Sequence, residues 1–70
     1  MRDVYLVHGS EDGILSVFSN LKNAKKCALD YVNDDGNGFE DSGGDHIWWF
    51  TNGYDDSVTA YVMRENVRKE

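Results

Sequence analysis

Hydrophobic and polar positions near the start of the chain alternate as they do in a β-hairpin. Residues 4–8 and 14–18 are rich in β-branched, leucine and aromatic side chains, and a turn with glycine at both ends, Gly9 and Gly13, separates them. Short segments of this kind on either side of a glycine-containing turn are typical of paired antiparallel strands. The pattern therefore predicts a hairpin at the start of the fold.

A helical pattern follows the second predicted strand. Ser19 and Asn20 are both suited to cap a helix N-terminus, and apolar residues then recur at the spacing of one helix face. The residues predicted to share that face are Leu21, Ala24, Ala28, Tyr31 and Val32. The helix is predicted to run from residue 20 or 21 to about residue 33, since Asp34 and Asp35 oppose the helix dipole at its C-terminal end.

The second half of the chain predicts a loop and a second hairpin. Residues 36–44 have the glycine-rich, acidic composition of a loop, whereas residues 46–50 and 57–63 have the composition of strands. Residues 64–70 are predicted to be a polar tail that frays or forms a short turn. The prediction is one domain of 70 residues in the α+β class, with ββαββ order and a four-stranded antiparallel sheet that packs one helix on one face.

Both faces of the predicted sheet are apolar. Val4, Leu6 and Trp49 belong to one set of alternating positions, and Trp48 and Phe50 belong to the other. One helix can cover only one face, and an antiparallel sheet with a solvated second face shows a cleaner alternation of apolar and polar residues. We therefore expect the second face to be covered in a homodimer, which forms through this face or by edge-strand pairing, or by a different protein.

Acidic side chains are concentrated in one part of the chain. The net charge is −6, and no Lys or Arg occurs between Cys27 and Met63. The acidic residues of that segment are Asp30, Asp34, Asp35, Glu40, Asp41, Asp45, Asp55 and Asp56. A negative potential of this kind repels nucleic acid and anionic membranes and attracts cations or basic protein surfaces. High solubility is the other property that such acidity confers.

Cysteine usage and the N-terminal segment indicate the compartment. Cys27 is the only cysteine, which excludes an intramolecular disulfide and a cysteine-based zinc site and is typical of a reducing environment. The N-terminal apolar run is too short for a signal peptide or a membrane span. We expect a soluble cytoplasmic protein with no membrane partner.

The predicted acidic loop shares part of the pattern of an EF-hand calcium loop. If Gly38 takes the sixth position, the oxygen donors would be the side chains of Asn33, Asp35, Asn37 and Asp41 and the backbone carbonyl of Phe39. The twelfth position is then Gly44, where a bidentate Glu is required, and a strand is predicted to follow where an EF-hand has a helix. A calcium-binding loop is therefore kept as an alternative, and no cofactor is predicted.

The sequence predicts no catalytic constellation. His8 and His46 stand at strand ends without a cysteine or a second histidine at ligand spacing. A Ser–His–Asp triple can be drawn through His46 and Asp45 with Ser42 or Ser57, but no nucleophile-elbow pattern accompanies it. We expect a protein that is not an enzyme.

Aromatic residues of the second predicted hairpin have the composition of a stacking platform. Trp48, Phe50 and Tyr61 on adjoining strands would suit single-stranded nucleic acid. The surrounding carboxylates would repel phosphates, however, and no basic residue lies near these strands before Arg64. A role in the core or in a dimer interface is favoured, and no direct contact with nucleic acid is expected.

The first thirty or so residues resemble a recurring pattern. Val4-Tyr5-Leu6-Val7, a short turn, the segment from Gly13 to Asn20 and an alanine-containing helix are similar to the opening of many short accessory proteins of tailed phages and prophages. The resemblance implies expression in a bacterial cytoplasm during infection. It also implies inhibition of a host factor, because small acidic phage proteins often inhibit restriction, CRISPR or transcription machinery. No catalytic residue carries over from it.

The sequence therefore predicts a non-enzymatic acidic binding protein that engages a basic surface of a host protein, of the nucleic-acid-binding class. As a nucleic-acid mimic it would act in the manner of an anti-restriction or anti-CRISPR inhibitor. The predicted partner-binding residues are Asp34, Asp35, Glu40, Asp41, Asp45, Asp55 and Asp56 for charge, with Trp48 and Tyr54 as anchors. The alternatives are a homodimeric structural or regulatory module without a charge-based target, and a calcium-binding loop protein.

Overall fold

A computed structural model describes residues 2–33, 36–54 and 57–67 and has an α+β fold. In chain order the elements are β1 (Arg2–Gly9), β2 (Gly13–Phe18), α1 (Leu21–Val32), β3 (Gly38–Gly43), β4 (Ile47–Asn52) and β5 (Thr59–Val67). The predicted α+β class, the first hairpin and the helix after it are confirmed.

The strands form one open, five-stranded sheet in the order β2-β1-β5-β4-β3. Every neighbouring pair is antiparallel, as predicted. β5 is the last strand in the chain, yet it lies in the centre and joins the two hairpins. β2 and β3 are the edge strands, so each has one side of its backbone unpaired within the sheet.

The prediction of four strands in ββαββ order is wrong, because residues 38–43 form a strand where a loop was predicted. β3 pairs with β4 along its length, and the register shifts between Glu40 and Ser42. The composition of β3 has low β propensity, but that propensity depends strongly on context, and pairing with aromatic β4 stabilises the strand. The observed order is ββαβββ.

β5 is also longer than predicted. It continues to Val67, although a polar tail was predicted from residue 64 onward. In the pairing with β1, Arg64 lies opposite Tyr5 and Asn66 lies opposite Asp3. The Asn66 Nδ2 atom donates a hydrogen bond to the Asp3 carboxylate at 2.9 Å. Cross-strand contacts with β1 therefore hold this polar segment in the sheet.

Two glycines of β3 allow close packing that a side chain would block. A Cβ atom on Gly38 would lie 2.6 Å from the Cα atom of Asn33, and one on Gly43 would lie 2.5 Å from the Cδ1 atom of the Trp48 indole. Glycine in a strand often marks such a close approach. The glycines that suggested a flexible loop are therefore explained by the close contacts of Gly38 with the end of α1 and of Gly43 with the buried Trp48.

An asparagine stands at each end of α1. The Asn20 Oδ1 atom accepts hydrogen bonds from the backbone N–H groups of Lys22 at 2.8 Å and Asn23 at 3.3 Å, which confirms the predicted N-cap. At the other end, the Asn33 Oδ1 atom accepts a hydrogen bond from the Gly38 N–H at 3.0 Å. This second contact ties the end of α1 to the start of β3.

The core lies between α1 and one face of the sheet. Ala24, Ala28 and Val32 are fully buried at helical spacing, and the small alanine side chains let the helix approach the strands closely. The buried residues on the sheet side are Val7, Trp48, Phe50, Ala60 and Val62. α1 contacts all five strands, so this one helix covers the face.

Asn52 is the one polar side chain buried among the described residues, with 3% of its surface exposed. Its Nδ2 atom donates a hydrogen bond to the Val32 carbonyl at 2.8 Å, and its Oδ1 atom accepts one from the Tyr54 N–H at 2.8 Å. Removing a buried amide of this kind leaves its former partners unsatisfied in the core. Asn52 thus connects the last turn of α1 to the turn after β4.

Replacing Asn52 with alanine is expected to lower the free energy of unfolding by about 2 kcal/mol, because the Val32 carbonyl and the Tyr54 N–H lose their partner. Urea denaturation followed by circular dichroism measures the change. Asn23→Ala is the matched control, since Asn23 is exposed on α1 and alanine favours a helix. The control should leave stability unchanged or raise it slightly, and equal losses in both variants would contradict the connecting role of Asn52.

Candidate functional site

β3 and the turn that follows it form an acidic edge of the sheet. We define this acidic edge by Glu40 and Asp41 on β3 and Asp45 in the turn, all of which are exposed. No Lys or Arg occurs in the sequence between Cys27 and Met63. Because β3 has a neighbouring strand on one side only, these carboxylates lie at the rim of the molecule, where another protein can reach them.

Glu40 is partly neutralised within the chain. The Lys25 Nζ atom lies 3.3 Å from its carboxylate and 5.5 Å from the centre of a Trp48 ring. Both members of the ion pair are partly exposed, so the pair contributes little to stability. Asp41 and Asp45 form no ion pair within the described part of the chain, and they carry most of the charge that a partner would meet.

Four of the predicted acidic residues lie outside the described residues, namely Asp34, Asp35, Asp55 and Asp56. Among the described residues, the Gly53 N–H donates a hydrogen bond to the Asn37 carbonyl at 2.7 Å, so the start of β3 and the end of β4 lie together. Asp45 lies at the opposite end of the β3–β4 hairpin. The described acidic residues of this region therefore lie between the middle of β3, at Glu40, and the turn that contains Asp45.

The two predicted aromatic anchors, Tyr54 and Trp48, differ in how much of their surface is exposed. Tyr54 is 89% exposed, as a surface anchor requires. Trp48 is only 9% exposed and packs in the core, so the prediction that it is a surface anchor is wrong. Its neighbour Trp49 lies on the other face of the sheet and is 42% exposed. Alternation alone does not decide which tryptophan is buried, because both faces of the sheet are apolar.

The sheet face opposite α1 has no described element packed on it, and we call it the open face. The apolar and aromatic residues that the register places there, together with His8, are Val4, Leu6, Ile14, Val17, Phe39, Ile47, Trp49, Tyr61 and Met63. Every strand contributes at least one of them. The large exposed apolar side chains on this face are those of Ile14, Val17, Phe39 and Trp49, so the open face is an apolar surface that extends across the whole sheet.

Three rings form a row across the centre of the open face. The His8 imidazole stacks on the Tyr61 ring with centroids 4.5 Å apart and 3° between the planes. The Trp49 ring lies 4.9 Å from Tyr61 at 41°. Tyr61 belongs to the central strand β5. Trp48 and Phe50 pack in the core beneath α1, on the other face of the sheet from Tyr61, so these three residues do not form a stacking platform.

The open face carries little formal charge. Among the side chains that the structure describes, Glu65 is the only Asp, Glu, Lys or Arg that a register pair places on this face, and it lies opposite Val4. Glu65 stands near the end of β5, away from the row of rings. The acidic edge and the open face are therefore chemically distinct surfaces of one small fold.

The contacts of the two histidines are of other kinds than those of a catalytic triad. The His46 Nδ1 atom lies 3.2 Å from the Nη2 atom of Arg64, and the backbone N–H of Arg64 donates to the His46 carbonyl at 2.7 Å. His8 stacks on Tyr61. None of these contacts joins a histidine to a serine hydroxyl.

The segment considered for calcium is extended from Gly38 onward. Phe39 and Asp41 lie in β3, and the Asn33 side-chain oxygen is bonded to the Gly38 N–H. These residues therefore do not encircle an ion as the residues of an EF-hand loop do, and Asp35 lies outside the described residues. Within the ranges that the structure describes, no group of three His, Cys, Asp or Glu side chains is placed to hold a metal ion.

No protein-family model, curated protein or solved structure matches this chain. The resemblance to phage accessory proteins therefore stays a prediction, together with the bacterial setting that it implies. In the part of the chain that the structure describes, no helix has both the length and the apolar character needed to cross a membrane.

Cys27 lies partly buried on α1. Burial, together with the negative charge of Asp30, raises the pKa of its thiol. A raised pKa means that the folded protein holds less thiolate than the unfolded chain at a given pH. The corresponding stabilisation is fully present below the ordinary thiol pKa and is lost as pH rises through the folded-state pKa.

We expect iodoacetamide to alkylate Cys27 more slowly in the folded protein than in the urea-unfolded protein at pH 8, since the thiolate is the nucleophile. Mass spectrometry of timed samples measures both rates. Asp30→Asn should speed the reaction of the folded protein, whereas Asp12→Asn, a control in the β1–β2 turn, should not. Equal rates for the folded and unfolded protein would contradict the shift.

Proposed function

We propose that this protein is a non-enzymatic binding protein that engages a basic surface of another protein through its acidic edge. The observation that carries the proposal is the exposure of Glu40, Asp41 and Asp45 on an edge strand and its turn. Lys25 pairs with Glu40, and the sequence has no Lys or Arg between Cys27 and Met63 to neutralise Asp41 or Asp45. Asp34, Asp35, Asp55 and Asp56 remain predicted contributors to the same surface.

Charge on an edge strand is suited to attract and orient a basic partner. Carboxylates of one sign raise the local concentration of a positively charged surface and speed its association. A strand that is hydrogen-bonded to the sheet holds its side chains in fixed positions, so less ordering is required on binding than for a charged tail. Binding of this kind weakens as salt screens the charges.

The proposed partner is a nucleic-acid-binding protein. The carboxylates of Glu40 and Asp41 on β3 and of Asp45 in the turn are exposed. Carboxylates held on a β scaffold would compete with phosphates for one basic groove. The resemblance to phage accessory proteins supports a bacterial host protein as the target, with inhibition of an anti-restriction or anti-CRISPR kind as the result.

Tyr54 supplies an aromatic anchor near one end of this surface. It is exposed in the turn after β4, and its backbone N–H is held by the buried Asn52 side chain. Tyrosines at fixed positions contribute strongly to protein interfaces. The combination favours a partner surface that offers basic side chains beside an apolar pocket.

The test is a pull-down from bacterial lysate with the tagged protein as bait, followed by a binding assay with the purified captured protein. Glu40→Gln, Asp41→Asn and Asp45→Asn in one chain should weaken binding by about tenfold or more, a loss of about 1.4 kcal/mol. Raising the salt should weaken the wild-type complex, and duplex DNA should displace the bait from the captured protein.

The matched control changes Glu11→Gln, Asp12→Asn and Asp30→Asn, which are exposed acids away from the acidic edge. This control has the same net charge as the test variant, so it separates a localised site from overall acidity. The control should bind like the wild type. Equal losses in both triple variants, or capture that neither salt nor DNA reverses, would contradict binding through the acidic edge.

A further inference from the structure

We infer that the open face is an interface between two copies of this chain. This interface goes beyond the proposed function and depends on different residues, because the acidic edge lies at the rim of the sheet. Within the described chain, only one face of the sheet is covered. α1 packs on one face, and the described chain offers no second layer for the other.

The size of the open face is appropriate for a small dimer. Five strands about 4.8 Å apart and about 20 Å long present a projected area of about 500 Å². Two such faces in contact would bury about 1,000 Å², which is at the lower limit for a specific interface. An apolar patch of this extent is at the upper end of what soluble monomers leave in contact with water.

Charge distinguishes a second copy from a basic partner as the occupant. Glu65 is the only carboxylate that a register pair places on the open face among the described side chains. A basic protein surface docked there would bury ammonium or guanidinium groups almost without counter-charges, which is costly. A second open face, in contrast, presents apolar side chains to apolar side chains and leaves both acidic edges in water.

The strand order places the aromatic row where a twofold interface needs its anchors. β5 is the central strand, and Tyr61 on that strand contacts both His8 and Trp49. A twofold axis that passes near Tyr61 brings the two rows together at the middle of the interface. Sheets that pack face to face are about 10 Å apart, a spacing that rings and aliphatic side chains fill, and buried tyrosine and tryptophan are common interface anchors.

The response of the dimer to salt is expected to be opposite to that of the proposed partner complex. Each copy carries a net charge of −6, so two copies repel each other at low ionic strength. Salt screens this repulsion and strengthens apolar contact. The dimer should therefore become tighter as salt is added, whereas binding through the acidic edge becomes weaker.

Sedimentation equilibrium of the full chain, at about 1 to 200 μM and at two salt concentrations, tests the interface. The wild type should approach twice the monomer mass of 8.0 kDa. Trp49→Glu places a charge in the centre of the open face and should weaken dimerisation by about 30-fold or more, the effect of losing one strong anchor. Tyr54→Glu introduces the same charge at a more exposed aromatic residue in the turn after β4, outside the strands that form this face, and it should leave the dimer intact.

Val17→Glu is a second variant, in which the charge enters at an exposed position of the edge strand β2, and it should also weaken the dimer. Unchanged circular dichroism would show that both variants keep their fold. A wild type that stays monomeric at 200 μM would overturn the inference, and so would a dimer that persists in both open-face variants. The triple variant of the acidic edge should still dimerise, and its failure to do so would overturn the separation of the two surfaces.

Discussion

One twelve-residue helix has to bury a five-stranded sheet that is apolar on both sides. At about 1.5 Å per residue this helix is about 18 Å long, enough to cross the strands on one face and no more. Ala24 and Ala28 let it settle closely on the sheet, and Asn52 fixes its last turn. The open face is the side of the sheet that this helix leaves uncovered, and the acidic edge lies at the rim of the same sheet.

The fold separates its charge from its uncovered apolar surface. Glu40, Asp41 and Asp45 stand on the outermost strand and its turn, while the row of His8, Tyr61 and Trp49 crosses the middle of the open face. A carboxylate in that row would prevent apolar contact. The proposed partner complex and the proposed dimer would therefore depend on different residues and respond to salt in opposite directions.

Much of the fold could be predicted from local signals. The glycine-bounded hairpin, the Asn20 cap and the helix stripe all depend on short-range preferences that the structure confirms. β3 could not be predicted, because its glycines permit close contacts that only the folded chain reveals, those of Gly38 with Asn33 at the end of α1 and of Gly43 with Trp48 in the adjacent strand. The choice of a buried Trp48 and an exposed Trp49 depends on which apolar face receives the helix, and no local pattern specifies that.

Hydroxyl-radical footprinting at low and high protein concentration measures the exposure of individual side chains, so it tests whether a second copy covers the open face. We predict that Trp49 and Met63, which both lie on the open face, become protected as the concentration rises. Tyr54 in the turn after β4 should react equally at both concentrations. If Trp49 and Met63 remained as reactive at high concentration as at low concentration, the open face would not be covered by a second copy, and that claim would be wrong.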